Sequence, residues 1–186
     1  MKKTVFALLL LCATGAMAQD KTATDAFQQA SIVTIAGTEN GSIKENYKRG
    51  TIEFKNAAGQ VKTINPGDVQ SFTIGSQLYV SYKNDFYKVI VNGTNGKLHQ
   101  KLSDNNGKIV YNGTEPVLLT TTDGKAGSYY LQTHSSENYV QVTAKNFEKV
   151  ISTHCADCNL ITAKLQAKEI SFAQLSDAVA LYNSCK

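Results

Sequence analysis

The sequence predicts an α+β protein that is mainly β: an antiparallel β-meander, built as a sandwich or open barrel, followed by a small C-terminal helical unit. Three observations carry this. Apolar residues alternate with polar ones in short runs up to residue 142, Asn-Gly and Pro-Gly pairs punctuate those runs, and beyond residue 142 the apolar spacing changes to three and four. Period two places alternate side chains on opposite faces of a strand, whereas a spacing of three and four makes one stripe on a helix.

Before the strands comes a start of another kind. Met1-Lys2-Lys3, an apolar run and Ala16-Met17-Ala18 have the order of a secretory signal peptide: positive start, short greasy core, A-x-A cleavage signal. The apolar run is shorter than the roughly 20 residues a membrane span needs. Leu11 before Cys12 is bulky where lipoprotein processing wants a small residue. Cleavage after Ala18 would leave a chain beginning at Gln19, with residues 19–30 as a flexible polar leader. Loss of Lys2 and Lys3 lowers the formal charge from +4 to +2. With no basic runs left, nucleic acid is not an expected partner. The expected address is periplasmic or secreted, where disulfides persist.

The β-rich domain is expected over residues 31–142. Ile52 and Phe54 alternate with Glu53 and Lys55; Leu78, Val80 and Tyr82 alternate with Tyr79 and Ser81; Tyr87, Val89 and Val91 follow the same rule. Asn40-Gly41, Pro66-Gly67-Asp68, Asn92-Gly93, Asn95-Gly96, Asn106-Gly107 and Asn112-Gly113 supply turn residues between them. The same Asn-Gly pairs account for the acceptor-like triplets at Asn40, Asn92 and Asn112. About eight to ten strands are expected.

The helical appendage covers residues 143–186. Thr143 can cap a helix whose apolar side is Phe147, Val150, Ile151 and His154 or Cys155. Asp157 can cap a short second helix through Ile161 and Leu165. Ser171 with Gln174 forms a capping box for a third, with Leu175, Ala178, Val179, Tyr182 and Cys185 facing inward.

Three cysteines follow the leader: Cys155, Cys158 and Cys185. Dithiol redox chemistry needs a reactive thiol at a helix start after a strand, where the dipole lowers its pKa. Cys155 ends a helix, only Cys158 starts one, and the strand–loop–helix context is missing. A zinc site could draw on His154, Cys155, Cys158 and Cys185. Against it, His154 and Cys155 are adjacent and point about 100° apart on a helix. A structural bridge is the third reading. Cys158 to Cys185 would close a loop of about 27 residues, worth roughly 3 to 4 kcal/mol in the chain-entropy model. Cys155 to Cys185 is nearly equal in energy, so energy does not choose.

The tail FEKVISTHCADCNLITAKL…ISFAQLSDAVALYNSC resembles the end of a family of secreted proteins from Bacteroidetes-type bacteria. In that family an "adC" closes one helix and a last helix ends in "YNxC". GSIKENYKRGTIEFKNAAGQVKTINPGDVQSFTIGSQLYVSY, with its Pro66-Gly67-Asp68-Val69 turn, is similar to the family's strand region. The resemblance implies that Cys158 pairs with Cys185 and leaves Cys155 as a free, alkylatable thiol, available for a dimer. In some relatives a similar module precedes an outer-membrane β-barrel. The family implies no activity.

No G-x-S-x-G, H-E-x-x-H or P-loop occurs, so no catalytic residue and no cofactor is expected. His99, in a strand flanked by lysines, is expected to face solvent. With nine tyrosines and no tryptophan, Tyr129, Tyr130 and Tyr139 in adjacent strands form a possible binding face. The functional expectation is a non-catalytic extracytoplasmic module that binds an envelope component or another protein. The thiol or zinc protein and a periplasmic immunity or inhibitor protein are the alternatives.

Overall fold

The structure, a computed structural model, describes residues 26–104, 109–112, 115–118 and 122–185. The expected signal peptide and most of the expected leader, before residue 26, and the Asn106-Gly107 and Gly113 turn positions lie outside the described residues. Strands β1 (Gln28–Thr34), β2 (Gly37–Asn46), β3 (Thr51–Asn56) and β4 (Val61–Ile64) form one antiparallel run. Strands β5 (Ser71–Ile74), β6 (Gln77–Tyr82), β7 (Asp85–Asn92) and β8 (Gly96–Lys101) form a second. A separate ribbon, β9 (Ile109–Asn112) with β10 (Glu115–Leu118), precedes β11 (Tyr129–Thr133) and β12 (Val140–Val142).

The α+β, mainly β class holds, as one open ten-stranded sheet ordered β12-β11-β8-β7-β6-β5-β1-β2-β3-β4. It departs from a simple meander where β5 pairs with β1 rather than β4, which welds the two runs into one sheet. β1 begins at Gln28, so the end of the expected leader belongs to the sheet.

One turn expectation needs correcting, and one turn carries no glycine signal at all. Asn40-Gly41 lies inside β2, where Gly41 stands opposite Ala30 and Asn56. A Cβ on Gly41 would come within 2.6 Å of the Phe54 ring, so here the glycine permits close packing across the sheet rather than a turn. The β6–β7 turn uses Lys83 (φ 44°) and Asn84 (φ 57°), a left-handed pair with no glycine to announce it.

The core has two parts. Ile32, Ile43, Ile52, Phe54, Phe72, Tyr79 and Phe86 fill the first half of the sheet, with Phe72 stacked on Tyr79 at 4.7 Å. Leu98, Leu131 and Val142 of the second half are covered by three helices, α1 (Phe147–His154), α2 (Asn159–Gln166) and α3 (Leu175–Ser184). The inward stripes are those the spacing predicts: Phe147, Val150 and Ile151 on α1, and Leu175, Ala178, Val179 and Tyr182 on α3. Ser171 and Gln174 form the expected capping box, on a single 3-10 turn that leads into α3.

The other caps shift by a residue or more. Asn146 is the N-cap of α1 and pairs with Thr143, donating its backbone N–H to the Thr143 hydroxyl and accepting from the Thr143 N–H. Cys158, not Asp157, is the N-cap of α2.

α3 is fastened to β8 by side-chain amides. Asn183 Nδ2 donates to the Gly96 carbonyl at 2.8 Å, while its Oδ1 accepts from the Gly96 N–H at 2.8 Å and the Asn95 N–H at 3.0 Å. Asn95 Nδ2 in turn donates to the carbonyls of Tyr182 at 3.2 Å and Cys185 at 2.9 Å. Asn183 thereby satisfies backbone groups at the start of β8 and in the turn before it. The helix sits so close that a Cβ on Gly93 would fall 2.0 Å from Asn183 Cγ. Among the described residues no helix is long and apolar enough to cross a membrane.

Candidate functional site

The thiol segment separates into a staple and a buried thiol. Cys158 and Cys185 are joined as a disulfide, with their Cα atoms 5.7 Å apart. Geometry explains the choice: the turn after α1 carries Cys158 to the start of α2, beside the end of α3, while Cys155 stays on α1 as its C-cap. Cys155 is 1% exposed in the apolar cluster beneath the helices. Burial first, and Asp157 second, push its thiol up to about 12. Cys155 is thus a free cysteine, protonated and shielded in the folded chain.

The bridge also removes two of the four ligands of the alternative zinc set His154, Cys155, Cys158 and Cys185. Among the described residues no three His, Cys, Asp or Glu side chains converge on a metal position. His154 turns outward and lines a depression of about 280 Å³ with His134, Asp157 and Tyr182. The Tyr182 hydroxyl donates to Asp157 Oδ2 at 3.2 Å. That contact joins α3 to the turn holding Cys158, beside the disulfide.

The three tyrosines of the expected binding face do not share one. Neighbours along a strand point to opposite faces, so Tyr129 lies on the helix side, edge-on to Phe172 at 6.2 Å, and Tyr130 on the other. Tyr130 is 2% exposed, and its hydroxyl donates to the Asp123 carbonyl. Tyr139 does join Tyr130 on that side, within a larger aromatic group that sequence reasoning missed. Its ring is sandwiched between Tyr82 at 3.9 Å and His99 at 4.3 Å, with Tyr87 edge-on at 5.3 Å. Tyr87, Tyr130 and His99 of this group are buried, while Tyr82 and Tyr139 are half-buried.

His99 is buried, 1% exposed, and does not face solvent. The covering ring of Tyr139 comes from the segment before β12, which strand alternation in β8 could not reveal. Burial lowers the His99 pKa from 6.5 to about 4. The folded state therefore binds its proton less readily than the unfolded chain, and stability falls as pH drops from 6.5 toward 4. The expected loss over that window is roughly 2 to 3 kcal/mol. His99→Gln should flatten the slope of urea stability against pH between 4 and 6.5. An unchanged slope would refute this assignment.

Beneath the tyrosines lies a buried charge cluster. Lys101 Nζ stands 3.2 Å from Asp85 Oδ2 and donates to the carbonyls of Thr122 at 2.7 Å and Gly124 at 3.2 Å. Ser103 donates to Asp85 Oδ1, and the Tyr87 hydroxyl pairs with that of Thr122. These bonds hold the 122–124 segment onto β7 and β8.

On the first half of the sheet an open depression of about 580 Å³ crosses β5, β1, β2 and β3. Residues directly opposite one another share a face. The register sets Asn40, Ser31 and Thr73 in one row and Lys55, Ser42 and Gln29 in the next. The result is a grid of hydroxyls and amides with one ammonium, backed on the opposite face by Ile32, Ile43 and Phe54. A signal for it existed in the polar partners of the apolar alternation, Gln29 and Ser31 before Ile32 and Asn40 and Ser42 before Ile43. Without the register the two rows could not be assembled.

No protein-family model, curated protein or solved structure matches the chain.

Proposed function

We propose that this chain is a non-catalytic binding module working outside the cytoplasm of a bacterial cell, in the periplasm or secreted, where it engages an envelope component. The observation that carries this reading is the way the surface is divided. Groups suited to chemistry, among them Cys155, His99, Asp85 and Lys101, are built into the frame, whereas the broad polar depression over β1, β2, β3 and β5 faces outward. The address is supported by the Lys2-Lys3 start, the Ala16-Met17-Ala18 signal and a staple that joins α2 to α3. The resemblance to secreted Bacteroidetes-type proteins agrees with it.

Two measurements test the reading. Expressed from its own start codon in a Gram-negative host, the chain should be recovered from the periplasm or medium with Gln19 at its N-terminus. Crosslinking in the native envelope, followed by identification of what is retained, should then yield a reproducible partner. Recovery from the cytosol with Met1 intact would overturn the address. Reduction of insulin disulfides by the purified protein would overturn the non-catalytic assignment.

A further inference from the structure

We propose that the polar grid of Asn40, Ser31, Thr73, Lys55, Ser42 and Gln29 is a saccharide-binding surface, an inference that rests on the binding-module reading above. Neighbouring strands stand about 4.8 Å apart and alternate residues of a strand about 6.8 Å apart. Across four strands the grid therefore measures roughly 14 Å by 7 Å, the footprint of a di- or trisaccharide. Every position offers a donor or acceptor. Among the described residues the side chains of Gln29, Ser31, Asn40, Ser42 and Thr73 spend none of that capacity on hydrogen bonds within the protein. Lys55 Nζ lies 4.8 Å from the Phe27 ring centroid, which places an aromatic side chain beside the ammonium.

The chemistry of the surface also selects against other occupants. A peptide cannot add here as a strand, because β1 is already paired with β2 and β5, and β2 with β1 and β3. Among the described residues no large apolar side chain lines the depression, so an acyl chain would gain little from burial there. Lys55 is the only charged one among the described residues that line it, too few for a polyphosphate backbone and without a carboxylate to repel a uronic acid or a phosphorylated sugar. A polyhydroxylated ligand, neutral or singly anionic, matches what remains: many uncharged hydrogen-bonding partners at fixed spacing on a rigid sheet.

The test is amide-shift mapping of the processed, disulfide-intact chain, titrated with maltotetraose, chitotetraose and a phosphorylated lipopolysaccharide core oligosaccharide. At least one should give saturable shifts confined to β1, β2, β3 and β5. The N40A/T73A variant should weaken that binding at least tenfold at an unchanged thermal midpoint, with S31A/S42A as the second variant should the first unfold. K55A should weaken the phosphorylated ligand more than the neutral ones. Silence from all three ligands, shifts elsewhere, or binding that both double variants retain would overturn the proposal. A protein partner captured in the native envelope together with silent saccharides would leave the module reading standing and remove only this assignment; failure of both experiments removes both.

Discussion

Replacing Lys101 with methionine should destabilise the fold by roughly 3 to 5 kcal/mol, the cost of leaving a buried charge without its counter-ion. Both side chains of the Lys101–Asp85 pair are fully buried, and the ammonium also holds the Thr122 and Gly124 carbonyls. Methionine keeps the unbranched stem and most of the volume, so the loss reports charge and hydrogen bonding rather than a cavity. The double variant Lys101→Met/Asp85→Leu should recover at least half of the loss, since apolar replacement of a whole buried pair is often close to neutral. Urea denaturation of the four proteins gives the coupling directly. A Lys101→Met cost below about 1 kcal/mol would mean that water screens the pair.

Cys158→Ser and Cys185→Ser should each cost about 2 to 5 kcal/mol. The double replacement should cost little more than either alone, because both break one bond. Non-reducing peptide mapping should join the Cys158 and Cys185 peptides. Cys155 should resist alkylation in the native protein and react once denaturant opens the helical cluster. Cys155→Ala should cost only about 1 kcal/mol, the worth of a small apolar contact. Equal losses at all three cysteines would point instead to a shared site.

The parts of this molecule that were legible in the sequence are those decided by local rules. The apolar stripe of α3, the Ser171–Gln174 box and the Ile52/Phe54 alternation of β3 depend on neighbours within a few residues, and the structure has all of them, whereas in β6 it is Tyr79 rather than Leu78, Val80 and Tyr82 that enters the core. What failed was decided at long range. His99 sits in a polar-looking strand, yet Tyr139, forty positions later, roofs it. Gly41 reads as a turn residue until Phe54 arrives across the sheet. The candidate binding grid was hidden for the same reason: each row draws on three strands, and after β4 the chain passes back over β3 and β2 to set β5 beside β1. For the cysteines, the pairing itself came from a resemblance, and burial of the leftover thiol was visible only in the packed helices.

The clasp between Asn183 and Gly96 bears on the order in which the molecule is assembled. The start of β8, near the middle of the chain, is completed by a side chain from α3, some 87 positions further on. A ribosome adding about 5 to 20 residues per second leaves those backbone groups without Asn183 for several seconds after β8 emerges. Over that interval the second half of the sheet lacks both its helical cover and the amide that finishes β8, so the nascent chain has little to hold it shut. Long-range closure of this kind slows folding. Under the export proposed above, that delay would be useful, because it favours threading through a membrane channel before a finished β-domain can block the way.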